Sequence, residues 1–179
     1  HPAQEVSYTK MLGELAEAGN ATTLSSYVEA LERAFLVSGL HRYSANGVRG
    51  RGATPKLVTW NPALVAALDD RSPVESAADA VWKGRVVENA AGAHLLNGLA
   101  GGDAEIGWWR EGSSEVDYVV RIGRRLFGIE VKTGRARGTR GMEAFLKSYP
   151  KAVPLLVGSG GIPLDEFFAT SPTTLFAAP

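Results

Sequence analysis

Apolar and polar residues follow two rhythms along this chain. Between Glu115 and Lys132 they alternate with period two, interrupted at Gly123-Arg124. Alternation of this kind marks strands with one buried face, and a Gly-X pair closes a two-residue hairpin loop. If Ile122 faces Arg125, the pairing runs back until Asp117 lies opposite Glu130. One face then carries Glu115, Asp117, Glu130 and Lys132. The other carries Val116, Tyr118, Val120, Phe127, Ile129 and Val131. The second rhythm is helical. Leu24, Tyr27/Val28, Leu31 and Ala34/Phe35 recur at the spacing of one buried helical face.

The remaining pattern completes two modules. Tyr8 to Ala18 predicts a short helix that ends at Gly19-Asn20, and Thr22 or Thr23 is a candidate N-cap for the helix after it. Leu40 to Ser44 and Lys56 to Trp60 read as two strands around the glycine-rich loop Asn46–Gly52. Asn61-Pro62 starts a further helix through Leu68. This order matches a winged helix over residues 1–72. Asp69-Asp-Arg-Ser-Pro73 breaks the pattern and sets the boundary of a second domain, 73–179. There the sequence predicts a helix from Ala77 to Leu99, a strand through Ile106–Arg110, the hairpin, and a helix from Met142 to Tyr149. A strand at Val153–Val157 and a helix at Pro163–Ala169 close the chain. The intervening helix allows the last strand to run parallel to its neighbour. The fold class is therefore α/β (α+β), with a mixed sheet flanked by helices.

Composition narrows the function classes modestly. The 179 residues hold 19 Lys and Arg against 19 Asp and Glu, so no global field draws the chain to a polyanion. Locally, residues 121–151 hold nine bases against two acids. Such a stretch attracts phosphate, or is a solvated surface balanced by acids elsewhere in the fold. There is no cysteine, which excludes disulfides and thiolate metal sites and fits a cytoplasmic protein. No apolar run is long enough to span a bilayer. The chain opens His1-Pro2, as an excised piece of a longer protein would.

Two carboxylates facing each other across a ladder repel, a cost best met by a cation between them. Asp117 and Glu130 offer hard oxygens suited to magnesium or manganese. Lys132, on the face of Glu130, could orient a water or neutralise a developing phosphate charge. Glu88 shares a helix face with Val81, Gly84, Ala91, Gly92 and Leu95, and needs a charged partner if buried. The competing reading is a set of salt bridges, with Lys132 on Glu115 or Glu130 and Glu88 on an arginine. Arg135, Arg137 and Arg140 are candidate phosphate contacts, as are Arg42, Arg49, Arg51 and Lys56 in the wing. The predicted recognition helix presents Ser25, Ser26, Glu29, Glu32 and Arg33, a poor charge pattern for reading DNA, so docking to protein stands beside DNA contact. No Gly-x-x-x-x-Gly-Lys-[Ser/Thr] motif occurs, so the chain carries no P-loop for ATP.

Glu88, Asp117 and Glu130-Val-Lys132 stand in the order of the PD-(D/E)XK nuclease superfamily, with Val116 in place of its proline. Trp109-Arg-Glu, Glu115-Val-Asp-Tyr-Val and Ile129-Glu-Val-Lys resemble one branch of it, a domain of unknown function of the DUF4143 type. That domain stands C-terminal to AAA-type ATPase modules. Thr23–Glu32 with Leu36, Pro55-Lys-Leu and Ile162–Phe167 are similar to the rest of that family. The resemblance implies a restriction-endonuclease-like core, with Asp117 and Glu130 as metal ligands, Lys132 as catalytic lysine and Glu88 as helix acid. It also implies an ATPase module N-terminal to this chain. Two functions follow as expectations: a magnesium- or manganese-dependent nuclease acting on DNA, or a non-catalytic DNA- or protein-binding regulatory module that keeps the nuclease fold.

Overall fold

The computed structural model describes residues 2–14, 19–44, 47–48, 54–134 and 140–177. In the first half, β1 (Gln4–Glu5), β5 (Lys56–Thr59) and β2 (Val37–Leu40) form an antiparallel sheet in that spatial order. Helices α1 (Tyr8–Glu14), α2 (Ala21–Arg33) and α3 (Pro62–Ala67) accompany it. A small ladder joins β3 (Tyr43–Ser44) to β4 (Gly47–Val48). The linker helix α4 (Pro73–Ala78) then leads into the 20-residue α5 (Ala80–Leu99). The larger sheet has the order β6 (Glu105–Glu111), β7 (Ser114–Ile122), β8 (Arg125–Lys132) and β9 (Val153–Gly158). Its first three strands are antiparallel and β9 runs parallel to β8 after α6 (Arg140–Ser148), as the crossover predicted. Helices α7 (Leu164–Ala169) and α8 (Pro172–Phe176) follow. The result is a mixed α/β structure whose four-stranded mixed sheet is flanked by helices.

One core lies between α5 and one face of this sheet, uniting Ala91, Leu95, Trp108, Tyr118 and Ile129. Leu40 and Val58 of the small sheet belong to the same cluster. A second core joins Trp109, Val116 and Val119 to Met142 and Phe145 of α6. Trp108 and Trp109 thus fill opposite faces, both in core.

Local signals fare unevenly. Gly123 takes φ 57° at the first position of the Gly-Arg loop, and Ile122 pairs with Arg125 as expected. Asn61 caps α3 through Ala63 N–H, with Pro62 in its first turn. The N-cap of α2 is Asn20, not a threonine. Its extended backbone lets Oδ1 accept from Thr23 N at 3.0 Å. The single helix expected from Ala77 breaks at Asp79, whose carboxylate accepts from Val81 and Trp82 and starts α5 afresh. In α2 only Leu24 and Val28 of the predicted face are buried. Tyr27 is 56% exposed, and Phe35, past the helix end at Arg33 and at φ 55°, is 65% exposed, because the helix stops before the predicted face is complete.

The largest departure is a β-bulge. Gly107 pairs with Val119, yet Trp109 pairs with Val116, so Asp117 and Tyr118 together face Trp108. One extra residue reverses the side-chain alternation. Val116 therefore joins Val119 in the α6 core instead of sharing a face with Tyr118. The β7–β8 ladder ends at Tyr118 and Ile129, one step short of Asp117 and Glu130.

Candidate functional site: a buried lysine among acids

The bulge frees Asp117 from the ladder. Its Oδ2 accepts the backbone N–H of Val131 at 2.7 Å, a bond that carboxylate takes in place of a strand partner. Tyr118, fully buried, reaches α5 and donates its hydroxyl to the Glu88 carbonyl at 2.7 Å. Gly92 makes this approach possible, since a Cβ there would stand 2.5 Å from Tyr118 Oη. Glu88 is thereby brought up to the start of β7.

Between these acids lies a residue that sequence reading placed in the wing as a phosphate contact. Lys56, only 1% exposed, starts the central strand of the small sheet. Its Nζ is 2.5 Å from Glu88 Oε1 and 3.2 Å from Glu115 Oε1, and it donates to the Asp117 carbonyl at 3.2 Å. It also lies 5.2 Å from the centroid of the Tyr118 ring. The signal that could have found it is the alternation of its own strand: Lys56 shares a face with Val58, which is fully buried. Asn89, beside Glu88 and fully buried, fixes this strand to α5. Its amide accepts from Thr59 N at 3.0 Å and donates to Thr59 Oγ1 at 2.7 Å.

Glu130 and Lys132 form a second pair, 2.6 Å apart, with Glu130 nearly buried. Glu130 follows Gly128 by two positions. A Cβ on Gly128 would strike Phe145, so this pair leans toward the α6 side. Glu130 Oε2 is enclosed without a hydrogen-bond partner. Arg110 binds both Glu5 and Glu115, and a cleft of about 360 Å³ bordered by Lys10, Arg85, Arg110, Glu88 and Glu115 opens onto the cluster.

The charges shift as burial dictates. Burial pushes the Glu88 carboxyl up to about 7, Asp117 adds to the push, and Lys56 opposes it. Asp117 is raised as well, burial leading, against the pull of Lys56 and the Val131 N–H. Burial works against the Lys56 ammonium, but Glu88, Asp117 and Glu115 together outweigh it and raise that pKa. Burial likewise works against the Lys132 ammonium, but Glu130 first, then Asp117 and Glu88, outweigh it and raise that pKa. Glu115 is the exception among the acids. Burial pushes it up, but Lys56 and Arg110 overcome this and hold it below the usual range.

As arranged, these side chains do not fit a divalent ion. The central position between Glu88 and Glu115 is taken by an ammonium, and Glu130 Oε1 is held by Lys132. Among the described residues, no group of three or more acids or histidines is placed to hold a metal. Part of the basic stretch is paired with other groups of the protein at its surface. Arg121 pairs with Glu105 at 3.0 Å and Arg125 donates to the Phe176 carbonyl at 2.9 Å. Arg140 is exposed at the start of α6. Arg49, Arg51, Arg135 and Arg137 lie outside the described residues. No helix among the described residues is long and apolar enough to cross a membrane.

No curated protein matches the chain. The crystal structure of protein VC1899 from Vibrio cholerae is similar at 17% identity, over 86% of this chain and 36% of that one, with a TM-score of 0.27. That likeness is too slight to argue from, and this chain spans about a third of that protein's length. Two family matches divide the sequence. Residues 1–75 match a family described as Domain of unknown function (DUF8612), and residues 83–168, which contain Glu88 and the whole hairpin, match the Domain of unknown function (DUF4143).

Proposed function

We propose that this chain is a non-catalytic binding or regulatory module that keeps a nuclease-like layout of strands and acids. The observation that supports it is Lys56. A buried ammonium bridges Glu88 and Glu115, so the charge a divalent ion would supply comes from the protein's own small sheet. The cluster then joins the two halves of the chain instead of activating water. Its resemblance to a domain that follows ATPase modules supports a role beside such a module in a longer protein, with protein or DNA as the bound partner.

The second reading is a magnesium- or manganese-dependent phosphodiesterase acting on DNA. It is favoured by one observation: Glu130 Oε2 is buried and unpartnered, which an ion or water would remedy. This reading requires Lys56 to leave the acids. Calorimetry with manganese separates the two. The regulatory module gives no binding heat for wild type, and Asp117→Asn behaves alike. Saturable binding by wild type that Asp117→Asn abolishes, together with cleavage of single- or double-stranded DNA, establishes the enzyme.

A further inference from the structure

Around the Lys56 ammonium, oxygens from two elements converge on one point. Glu88 Oε1 comes from α5 at 2.5 Å, and Glu115 Oε1 and the Asp117 carbonyl come from β7, each at 3.2 Å. The carbonyl lies at the bulge that interrupts the β6–β7 pairing. An ammonium and a hard metal ion ask the same of a protein, converging oxygen acceptors with a surplus of negative charge. Here the ammonium already has them. Its strand is fixed on the same side: Val58 belongs to the core shared with α5, and Thr59 is bonded to Asn89.

The approach carries the same bias. The cleft of about 360 Å³ that opens onto the cluster is lined by Glu5, Glu88 and Glu115 against Lys10, Arg85 and Arg110, a charge-neutral set. Lys56 behind it tips the balance to positive, which repels a metal cation. We propose that Lys56 decides which cation this oxygen cage holds: its ammonium keeps divalent ions out, and a chain lacking that one ammonium takes up calcium in preference to magnesium. The inference rests on the non-catalytic reading above, in which the cation of the cluster is internal. Size sets the preference. Calcium accepts oxygens at about 2.3–2.6 Å in irregular geometry, whereas magnesium needs about 2.0–2.1 Å in a near-ideal octahedron. Oxygens 2.5 to 3.2 Å from one point, two of them from a single strand, suit the larger and more tolerant ion. Water from the cleft completes its shell.

The test titrates wild type and Lys56→Ala with calcium and, separately, with magnesium, read by calorimetry and by the thermal midpoint. Wild type should give no binding heat and an unmoved midpoint with either ion. Lys56→Ala should bind one calcium at least about ten-fold tighter than magnesium, its midpoint rising as calcium is added. Adding Glu88→Gln to Lys56→Ala should remove that binding. If Lys56→Ala is unfolded in chelator, circular dichroism follows the same titration, and calcium, not magnesium, should restore the wild-type spectrum. A Lys56→Ala that takes up no calcium, or that stays unfolded in its presence, overturns this inference alone. Equal affinity for the two ions overturns it too, as does binding that survives Glu88→Gln. Saturable binding by wild type that Asp117→Asn abolishes overturns the non-catalytic reading and this inference with it.

Discussion

Two clusters in this molecule use the same chemistry, one cation shared by acids, and come out with opposite electrostatics. At the linker, Arg71 is 35% exposed and holds Asp69 at 2.8 Å and Asp79 at 3.0 Å. Hydrogen bonds from Arg71 and Ser76 lower the Asp69 carboxyl to about 2. In the interior, Lys56 is 1% exposed and holds Glu88 at 2.5 Å and Glu115 at 3.2 Å, yet Glu88 rises to about 7. The difference does not lie in the exposure of the two carboxylates, since the Asp69 side chain is 9% exposed and that of Glu88 21%. It lies in their neighbours: Asp69 accepts from the Arg71 guanidinium, the Arg71 N–H and the Ser76 hydroxyl, and these hydrogen bonds set the sign. In the core, removing carboxylates from water outweighs a close ammonium, most of all with Asp117 adding a further negative charge. A linker cluster of this sort orients a chain segment. A buried one is a commitment, because removing any member leaves the others stranded.

That contrast is broken most directly at Lys56. Lys56→Met leaves Glu88, Glu115 and Asp117 facing one another with their central cation gone, and should cost about 3–5 kcal/mol in urea unfolding at pH 7. A loss under about 1 kcal/mol means that the cluster is wet in solution and the two sites are alike. Next comes the clamp that seats the lysine. Asn89→Ala deletes bonds to Thr59 and leaves buried polar groups unpaired, for a loss of about 2 kcal/mol. If Asn89→Ala unfolds at the wild-type urea concentration, β5 is positioned by Lys56 and packing alone.

Much of this was readable from the chain and some was not, for physical reasons. The hairpin register follows from its own turn and alternation, which are local, so Ile122 and Arg125 pair as expected. The parallel β9 follows from the helix placed before it. The bulge at Asp117-Tyr118 is a property of the pairing with β6, and neither strand alone announces it. It moves Asp117 out of the ladder, so the acid pair across from Glu130 becomes an acid held by the Val131 N–H. Glu88 on a small apolar helix face correctly demanded a charged partner. The partner's identity was hidden because Lys56 comes from the other half of the chain, beside a glycine-rich basic loop that made it look like surface. Its strand neighbour Val58, buried on the same face, was the available clue.

The pH dependence of stability sharpens the comparison further. The folded pKa of Glu88 lies above its ordinary value of 4.5, so the native state keeps that proton longer than the unfolded chain does. The stability this gives is complete below 4.5 and is lost as pH rises through about 7. Wild type should therefore lose about 1–3 kcal/mol between pH 5 and 8. Glu88→Gln should flatten most of that slope, leaving a remainder from Asp117, which is raised in the same direction. Unfolding curves at several pH values decide it. A wild-type slope that rises with pH across this window contradicts the burial argument.

The smallest effect belongs to the linker, and its smallness is the point. Arg71 and Asp79 sit where water reaches them, and the more enclosed Asp69 carboxylate keeps the Ser76 hydroxyl and the backbone N–H of Arg71 as donors, so the ion pairs made by the guanidinium contribute little to stability. Asp79 also accepts from Val81 and Trp82 at the start of α5, bonds that do not need Arg71. The capping box of Ser72 and Glu75 holds α4 by itself. Arg71→Ala should thus leave the thermal and urea midpoints of wild type unchanged within error. It should still raise hydrogen exchange across residues 69–79, because the guanidinium ties the turn before α4 to the start of α5 and covers the Trp82 ring. A midpoint that falls as far as it does in Lys56→Met, at any salt concentration, shows that the linker cluster carries the same structural weight as the buried one, and that the exposure of the shared cation, 35% for Arg71 against 2% for Lys56, does not separate them.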